Sequence, residues 1–345
     1  MTNTTELRQD LVTGDWVAVA SARARRLHTL ARRPMREIPQ PKSGCPFEHL
    51  IPQAALVYDE RGEKFRLTPK NRQHLAKRWW LQVIPNKYPA FGRHGRCAVE
   101  RRSGPYHWQD GVGFHEVVIT RDHYRAISAM TPLEVGLILR AYRERYLALK
   151  DDGCVEYISI FHNAGREAGA TIAHPHSQII AIPVIPPDIS RSLAGSAEYF
   201  RKHRRCVHCV MLDFEVQKNQ RIIYRNQDFV VFCPYASRQA FEVRIFPRRH
   251  NPEFETISDR ENDAAAEALR VALVKLGRGL KDPSYNFFIH TAPTADGAQA
   301  PHYHWHIEIV PKIAIWAGFE IGTGIEISTI RPEAAAAFLR HVKLG

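Results

Sequence analysis

Two stretches of this chain fall into gapless register with one another: YISIFHNAGREAGATIAHPHSQIIAIP at 157–183 and YNFFIHTAPTADGAQAPHYHWHIEIVP at 285–311. Tyr157, His162, Gly169, His174, His176 and Pro183 meet Tyr285, His290, Gly297, His302, His304 and Pro311, and about a third of the positions are identical. Upstream the match is looser, WLQVIPNKYPAF at 80–91 against FVVFCPYASRQAF at 229–241 and HEVVITRDH at 115–123 against FEVRIFPRRH at 241–250. Such a repeat makes the chain build one supersecondary unit twice. Each unit reads as a cysteine motif, an extended segment, a strand ending in a histidine, a helix, a strand, a glycine-containing loop and a histidine-rich strand. The expected class is therefore α+β, with two tandem units of antiparallel sheet and flanking helices related by a pseudo-two-fold, 1–190 and 191–345.

At 345 residues with 44% apolar content, the chain is long enough for two domains or for two halves sharing one large sheet. Apolar residues at three- and four-residue spacing predict a long helix over 133–150 and another over 259–280. Pro132 suits the first turn of the earlier one and Thr131 its cap. Alternation in Glu116–Ile119 and Glu242–Ile245 predicts strands. Between the units, 183–205 predicts a proline-rich loop and then a short helix running to the basic KHRR. No apolar run approaches the ~20 residues of a membrane-spanning helix, and the polar N-terminus lacks the pattern of a secretory signal, so a cytoplasmic protein is expected. Six cysteines in a chain of this length are too few for a disulfide framework and predict reduced thiols or metal ligands. A formal charge of +12 favours acidic partners, phosphorylated metabolites and nucleic acids alike. The C-x-x-C pair and scattered aromatics such as Trp79, Trp80 and Trp305 would fit a zinc-stabilised nucleic-acid-binding protein, but the sequence has no continuous basic and aromatic strip, which weighs against nucleic acid as a partner.

The histidines carry the chemistry. In His174-Pro175-His176-Ser177-Gln178 an extended backbone would put residues 174, 176 and 178 on one face. One imidazole can then anchor to a metal, the next can act as nucleophile, and the amide can donate to a phosphoryl oxygen, a set suited to phosphoryl transfer. Gly165 and Gly169 just upstream allow backbone to approach a phosphate, with Thr171 as a hydroxyl donor. Cys206, Cys209, His250 and one histidine of the 302, 304, 306 strand make a four-ligand zinc set. The corresponding set in the first unit is Cys45, His123 and His174, with Glu48 standing where a second cysteine would complete C-x-x-C. Glu48 either serves as the fourth ligand or leaves the site without one.

Together, DLVTGDWVAVASARARR (10–26), GCPFE (44–48), VIPNKYPAF (83–91), FHNAGREAGATIAHPHSQ (161–178), HYHWHIEIVP (302–311) and GFEIGTG (318–324) resemble the galactose-1-phosphate uridylyltransferase family of the histidine-triad superfamily over nearly the whole chain, closest to its archaeal-type and ADP-glucose phosphorylase branch. The resemblance implies two histidine-triad-like units and a nucleotidyltransferase working by double displacement. His176 would receive a nucleoside monophosphate from a nucleotide sugar, and a sugar 1-phosphate or phosphate would then accept it, with Gln178 steadying the phosphoryl group. It further implies that Arg23, Arg26, Asn86, Asn163 and Thr171 hold the nucleotide or phosphates, that Glu320 contacts the hexose, and that His123 and His174 are zinc ligands. In the second unit the family pattern points to His304 as fourth ligand, with His302 the alternative from the gapless repeat. His306 and Glu308 overlap a second metal site of the enterobacterial branch. With His306 in the place of Gln178, one catalytic and one structural half are expected. One or two zinc ions per chain and a homodimer follow by the same implication. A dinucleoside polyphosphate phosphorylase or hydrolase would use the same nucleophile.

Overall fold

A computed structural model of the chain describes residues 5–21, 40–50, 55–65, 68, 70, 71, 78–93, 97–295 and 300–344. Its first half contains β1 (Glu6–Gln9), β2 (Trp16–Val19), β3 (Leu56–Asp59), β4 (Lys64–Phe65), β5 (Trp79–Pro85), β6 (Arg101–Ser103), β7 (Tyr106–Trp108), β8 (Phe114–Thr120), α1 (Pro132–Lys150), β9 (Tyr157–Ala164) and β10 (His176–Ile182). There follow α2 (Pro187–His203), α3 (Val207–Lys218), β11 (Ile222–Arg225), β12 (Phe229–Phe232), β13 (Val243–Pro247), α4 (Asp259–Leu280), β14 (Tyr285–His290), β15 (His306–Pro311), α5 (Gly318–Thr323), β16 (Glu326–Ser328) and α6 (Pro332–His341). The fold is mixed α+β. Eleven strands form one antiparallel sheet in the order β11-β12-β13-β15-β14-β9-β10-β8-β5-β3-β4, so both halves of the chain share it and meet at the β14–β9 pair. A separate small sheet joins β1 and β2 to β16, which runs parallel to β2.

Cross-strand partners share a face, so the register sorts the large sheet's residues into two sets. Val118, Ser177, His162, Phe287, Ile309 and Val243 lie on one face. The long helices α1 and α4 cover that face, contributing Leu137, Tyr142, Tyr146, Leu269 and Leu273 to the main core. The same device starts both helices: Thr131 accepts from the Glu134 amide and Ser258 from the Glu261 amide, while each glutamate reaches back to its cap. Where the helices cross, Asn262 Nδ2 donates to the Gly136 carbonyl at 3.0 Å, and a Cβ at Gly136 would meet Asp263 at 3.4 Å.

Three expectations change. The helix after PVIPPD is a full element of 17 residues, α2, whose Gly195 packs so closely on the Val12 carbonyl that a Cβ would lie 1.8 Å from it. Cys97 and Cys154 are joined in a disulfide rather than free. The gapless register also fails at the centre of the sheet, because Phe161 pairs with Phe288 and His162 with Phe287, which puts His162 and His290 on opposite faces. A slip of one residue turns a strand over. Among the described residues, no helix is long and apolar enough to cross a membrane.

Candidate functional site

The opposite face of the large sheet carries the polar chemistry. His176 opens β10, with His174 and Pro175 just outside the strand. The His176 Nδ1–H donates to the His174 carbonyl at 2.8 Å, which fixes the tautomer and leaves Nε2 with its lone pair. Burial pulls the His176 pKa down from its ordinary value, against the opposing effect of that carbonyl. The Phe47 ring stands edge-on at 5.3 Å.

Gln178 lies two residues along on the same face, with Oε1 2.8 Å from His115 Nε2 on the neighbouring β8. His115 Nδ1 accepts from the Ala90 amide at 3.1 Å, and Asn86 Nδ2 sits 3.0 Å from His115 Nε2. On the other side, β9 places Asn163 next to His162, whose partner is Ser177, so Asn163 shares the face of His176. Asn286 of β14 donates from Nδ2 to Asn163 Oδ1 at 2.7 Å and to the Ala168 carbonyl at 2.8 Å. That carbonyl belongs to the loop between Gly165 and Gly169, both at positive φ (85° and 88°), where a side chain would be strained.

Beneath His176, on the helix side, the Tyr142 hydroxyl donates to Ser177 Oγ, which lies 3.0 Å from His162 Nδ1. Burial, with His176 nearby, pulls the His162 pKa down to about 3, so the ring is neutral near pH 7. The strand is therefore braced from below at the residue following His176.

Three groups of side chains converge as metal ligands would. Cys206, Cys209, His250 and His304 offer atoms all within 4.8 Å of one another, with Cys209 Sγ 3.3 Å from His250 Nδ1 and 3.6 Å from His304 Nδ1. His302 is not in this set; its main-chain carbonyl accepts from Cys206 Sγ. Cys45, His123 and His174 form the second group. His123 Nε2–H donates to the Gln40 carbonyl and His174 Nε2–H to the Thr120 carbonyl, so both rings turn Nδ1 inward. Glu48 Oε1 is 2.9 Å from the first of these nitrogens and 3.6 Å from the second. The third group is His290, His306 and Glu308, with His290 Nε2 3.0 Å from Glu308 Oε2. Burial opposes ionisation of Glu308, but the Arg244 guanidinium and His290 together hold its pKa below the ordinary value.

The structure thus gathers Asn86, Asn163, His176 and Gln178 on one face, and Cys45, Glu48, His123 and His174 at its edge. Arg23 and Arg26 lie outside the described residues. Thr171 is exposed in the loop leading to His174. Glu320 caps α5, accepting from the Ala317 amide at 3.0 Å, and is not part of the hydrogen-bond network around His176. Sequence reasoning missed His115, Asn286 and His290. The alternation of β8 and β14 could have put the first two on the site's face, but nothing in either segment marks them as chemical.

The model for the N-terminal domain of galactose-1-phosphate uridyl transferase matches residues 1–186, and a domain of unknown function (DUF4921) matches residues 99–341. The chain is 35% identical to the ADP-glucose phosphorylase of Arabidopsis thaliana over 348 residues, covering 98% of this chain and 93% of that one. It is 26% identical to the galactose-1-phosphate uridylyltransferase of Thermotoga maritima, over 98% of this chain and 99% of the relative. The structure of the Arabidopsis thaliana ADP-glucose phosphorylase with bound ADP-glucose superposes with a TM-score of 0.78 at 32% identity, covering 99% of this chain and 100% of that chain.

Proposed function

The chain belongs to the galactose-1-phosphate uridyl transferase family and is a nucleotidyltransferase, and from that premise we propose that it moves a nucleoside monophosphate from a nucleotide sugar to a phosphate-bearing acceptor through a covalent nucleotidyl-His176. The observation that carries this reading is the free Nε2 of His176, left by the hydrogen bond of Nδ1 to the His174 carbonyl, on the sheet face that also carries Gln178 and Asn163. Nε2 attacks the phosphorus next to the nucleoside, an N–P bond forms, and the P–O bond to the sugar phosphate breaks, releasing sugar 1-phosphate. An acceptor oxygen, from inorganic phosphate or another sugar 1-phosphate, then attacks the same phosphorus and returns His176 to its starting state. Gln178 and Asn163 hold the phosphoryl oxygens as charge develops on them. Asn86 and Thr171, and Arg23 and Arg26 outside the described residues, bind the nucleotide and its phosphates, and Glu320 the hexose. The 35% identity to an ADP-glucose phosphorylase favours ADP-glucose as donor and phosphate as acceptor. The uridylyltransferase relatives support the second pairing, UDP-glucose with galactose 1-phosphate, and a role in galactose metabolism.

Zinc fits two of the converging groups: two thiols and two imidazoles at Cys206, Cys209, His250 and His304, and one thiol, one carboxylate and two imidazoles at Cys45, Glu48, His123 and His174. Bound there, it would act as a structural clamp, holding His174 two residues from the nucleophile. We assign two tandem histidine-triad-like units, 1–190 and 191–345, with His304 and His306 corresponding to His174 and His176. The support is a shared bond, since His306 Nδ1 donates to the His304 carbonyl at 3.2 Å as His176 does to that of His174. A homodimer is what the family resemblance implies, and exposed Leu7, Leu11, Trp16, Ile315 and Trp316 are available to such an interface. Charged substrates that do not cross membranes argue for a cytoplasmic enzyme.

The test is intact-protein mass after brief incubation with ADP-glucose, UDP-glucose or GDP-mannose, quenched at alkaline pH. A nucleotide adduct with one donor, absent in His176→Ala of unchanged fold, is the expected result. Adduct formation in His176→Ala, or none in zinc-loaded wild type with any donor, would sink the reading.

A further inference from the structure

We propose that His115 and Asn286 are positioning residues that set the polarity of the two amides beside the nucleophile, so that Gln178 and Asn163 both turn their NH2 ends toward the phosphoryl group on His176. The inference rests on the nucleotidyl-His176 reading. An amide's two ends are alike in shape and opposite in role: facing phosphoryl oxygens, NH2 attracts and the carbonyl oxygen repels. Which end faces the reaction therefore decides whether each residue helps or hinders.

The structure determines both orientations from main-chain groups whose roles cannot change. The Ala168 carbonyl can only accept, so the Asn286 atom 2.8 Å from it is Nδ2. That same nitrogen lies 2.7 Å from Asn163, which must therefore present Oδ1 to it. The NH2 of Asn163 is left for the site. Across β10, the Ala90 amide can only donate, so His115 Nδ1, 3.1 Å away, carries no hydrogen and the ring proton sits on Nε2. Asn86 offers that nitrogen no acceptor, because the Tyr88 amide holds Asn86 Oδ1 at 2.9 Å; Asn86 Nδ2, 3.0 Å from the ring nitrogen, is a second donor and makes no hydrogen bond with it. The Nε2 proton therefore goes to Gln178, 2.8 Å away, which must present Oε1 and keep its NH2 outward. One orienting residue comes from β8 in the first half of the chain and the other from β14 in the second. Asn286 is buried, so water does not compete for its bonds.

The test measures the single-turnover rate of His176 nucleotidylation, donor affinity and melting temperature for wild type, Asn286→Asp, His115→Leu and His115→Gln. Asn286→Asp keeps the shape but only accepts, which turns the Asn163 amide over. His115→Leu removes the donor and His115→Gln restores one. The expected result is a loss of about 100-fold in the rate for Asn286→Asp and His115→Leu, of the size seen when one donor to a developing anion is removed, with donor affinity near wild type in both and melting temperature near wild type in His115→Leu, while Asn286→Asp, which sets a carboxylate against the Ala168 carbonyl, melts lower. His115→Gln should recover most of the rate. Wild-type rates in Asn286→Asp and His115→Leu would overturn the proposal alone. So would rate losses that merely follow lost stability and that His115→Gln fails to rescue. A wild-type protein that forms no adduct would overturn the function and this inference with it.

Discussion

His174 and His176 are two residues apart, yet hydrogen bonds give their rings opposite free nitrogens: Nδ1 in His174, whose Nε2 is tied to Thr120, and Nε2 in His176, whose Nδ1 is tied to the His174 carbonyl. One ring thereby turns Nδ1 toward Cys45 and Glu48 and the next leaves Nε2 without a proton, as the proposed zinc site and nucleophile require. The residue types and spacing of both were legible in the sequence; the tautomers were not, because they depend on carbonyls supplied by other segments. The same limit explains why His115 and Asn286 were missed. Each is defined by what its far end touches, and a strand's alternation reveals only which way a side chain leaves the backbone. Cys209 contacts both His250 and His304, so Cys209→Ser is expected to lower bound zinc, measured by elemental analysis, and reduce the melting temperature by several degrees, with little effect on donor affinity. Unchanged metal content would show that these thiols bind none.

Among the elements, the two long helices were the most legible, since apolar spacing marks each of them and Thr131 with Pro132 marks the start of the first. Ser258 accepts from the Glu261 amide at 3.2 Å while Glu261 is also held by Arg249. Ser258→Ala should therefore cost about 1 kcal/mol in denaturant unfolding and leave nucleotidyl transfer unchanged. The strand register was the least legible. Identical residues at a fixed spacing suggested one continuous repeat, but strand pairing is decided by faces. Matching Phe161 to Phe288 requires His290 to take the position relative to its partner strand that Asn163 has in the first half. His304, rather than His302, lies in the cysteine group.

For the whole molecule, two long-range ties have measurable consequences. The Cys97–Cys154 disulfide spans 57 residues and links the segment after β5 to the turn after α1. Closing a loop of that length restricts the unfolded chain by about 4 kcal/mol, so Cys154→Ser should lower stability by up to that amount under oxidising conditions, and reductant should do the same to wild type. At the other junction, Arg8 of β1 and Arg221 both donate to Glu333 at the start of α6, at 2.9 and 2.7 Å. Burial opposes ionisation of Glu333, but these arginines override it and hold its pKa at about 2. A carboxylate whose folded pKa is depressed adds stability above its unfolded pKa of about 4.3 and loses it as pH falls toward 2. Glu333→Gln should therefore flatten the acid limb of the stability curve between those values, measured by thermal melts across pH. An unchanged acid limb would show that the pair contributes nothing net.

The parallel pairing of β2 with β16 also bears on how the molecule is made. Val17, Ala18 and Val19 pair with Arg8, Leu7 and Glu6 of β1 on one edge and with Glu326, Ile327 and Ser328, far along the chain, on the other. During synthesis the ribosome therefore releases β1 and β2 long before β16 exists, and the small sheet can close only after residue 328 has emerged. A nascent chain stalled before residue 326 would have both halves of the large sheet available and this seam still open, a natural point of recognition for chaperones and proteases.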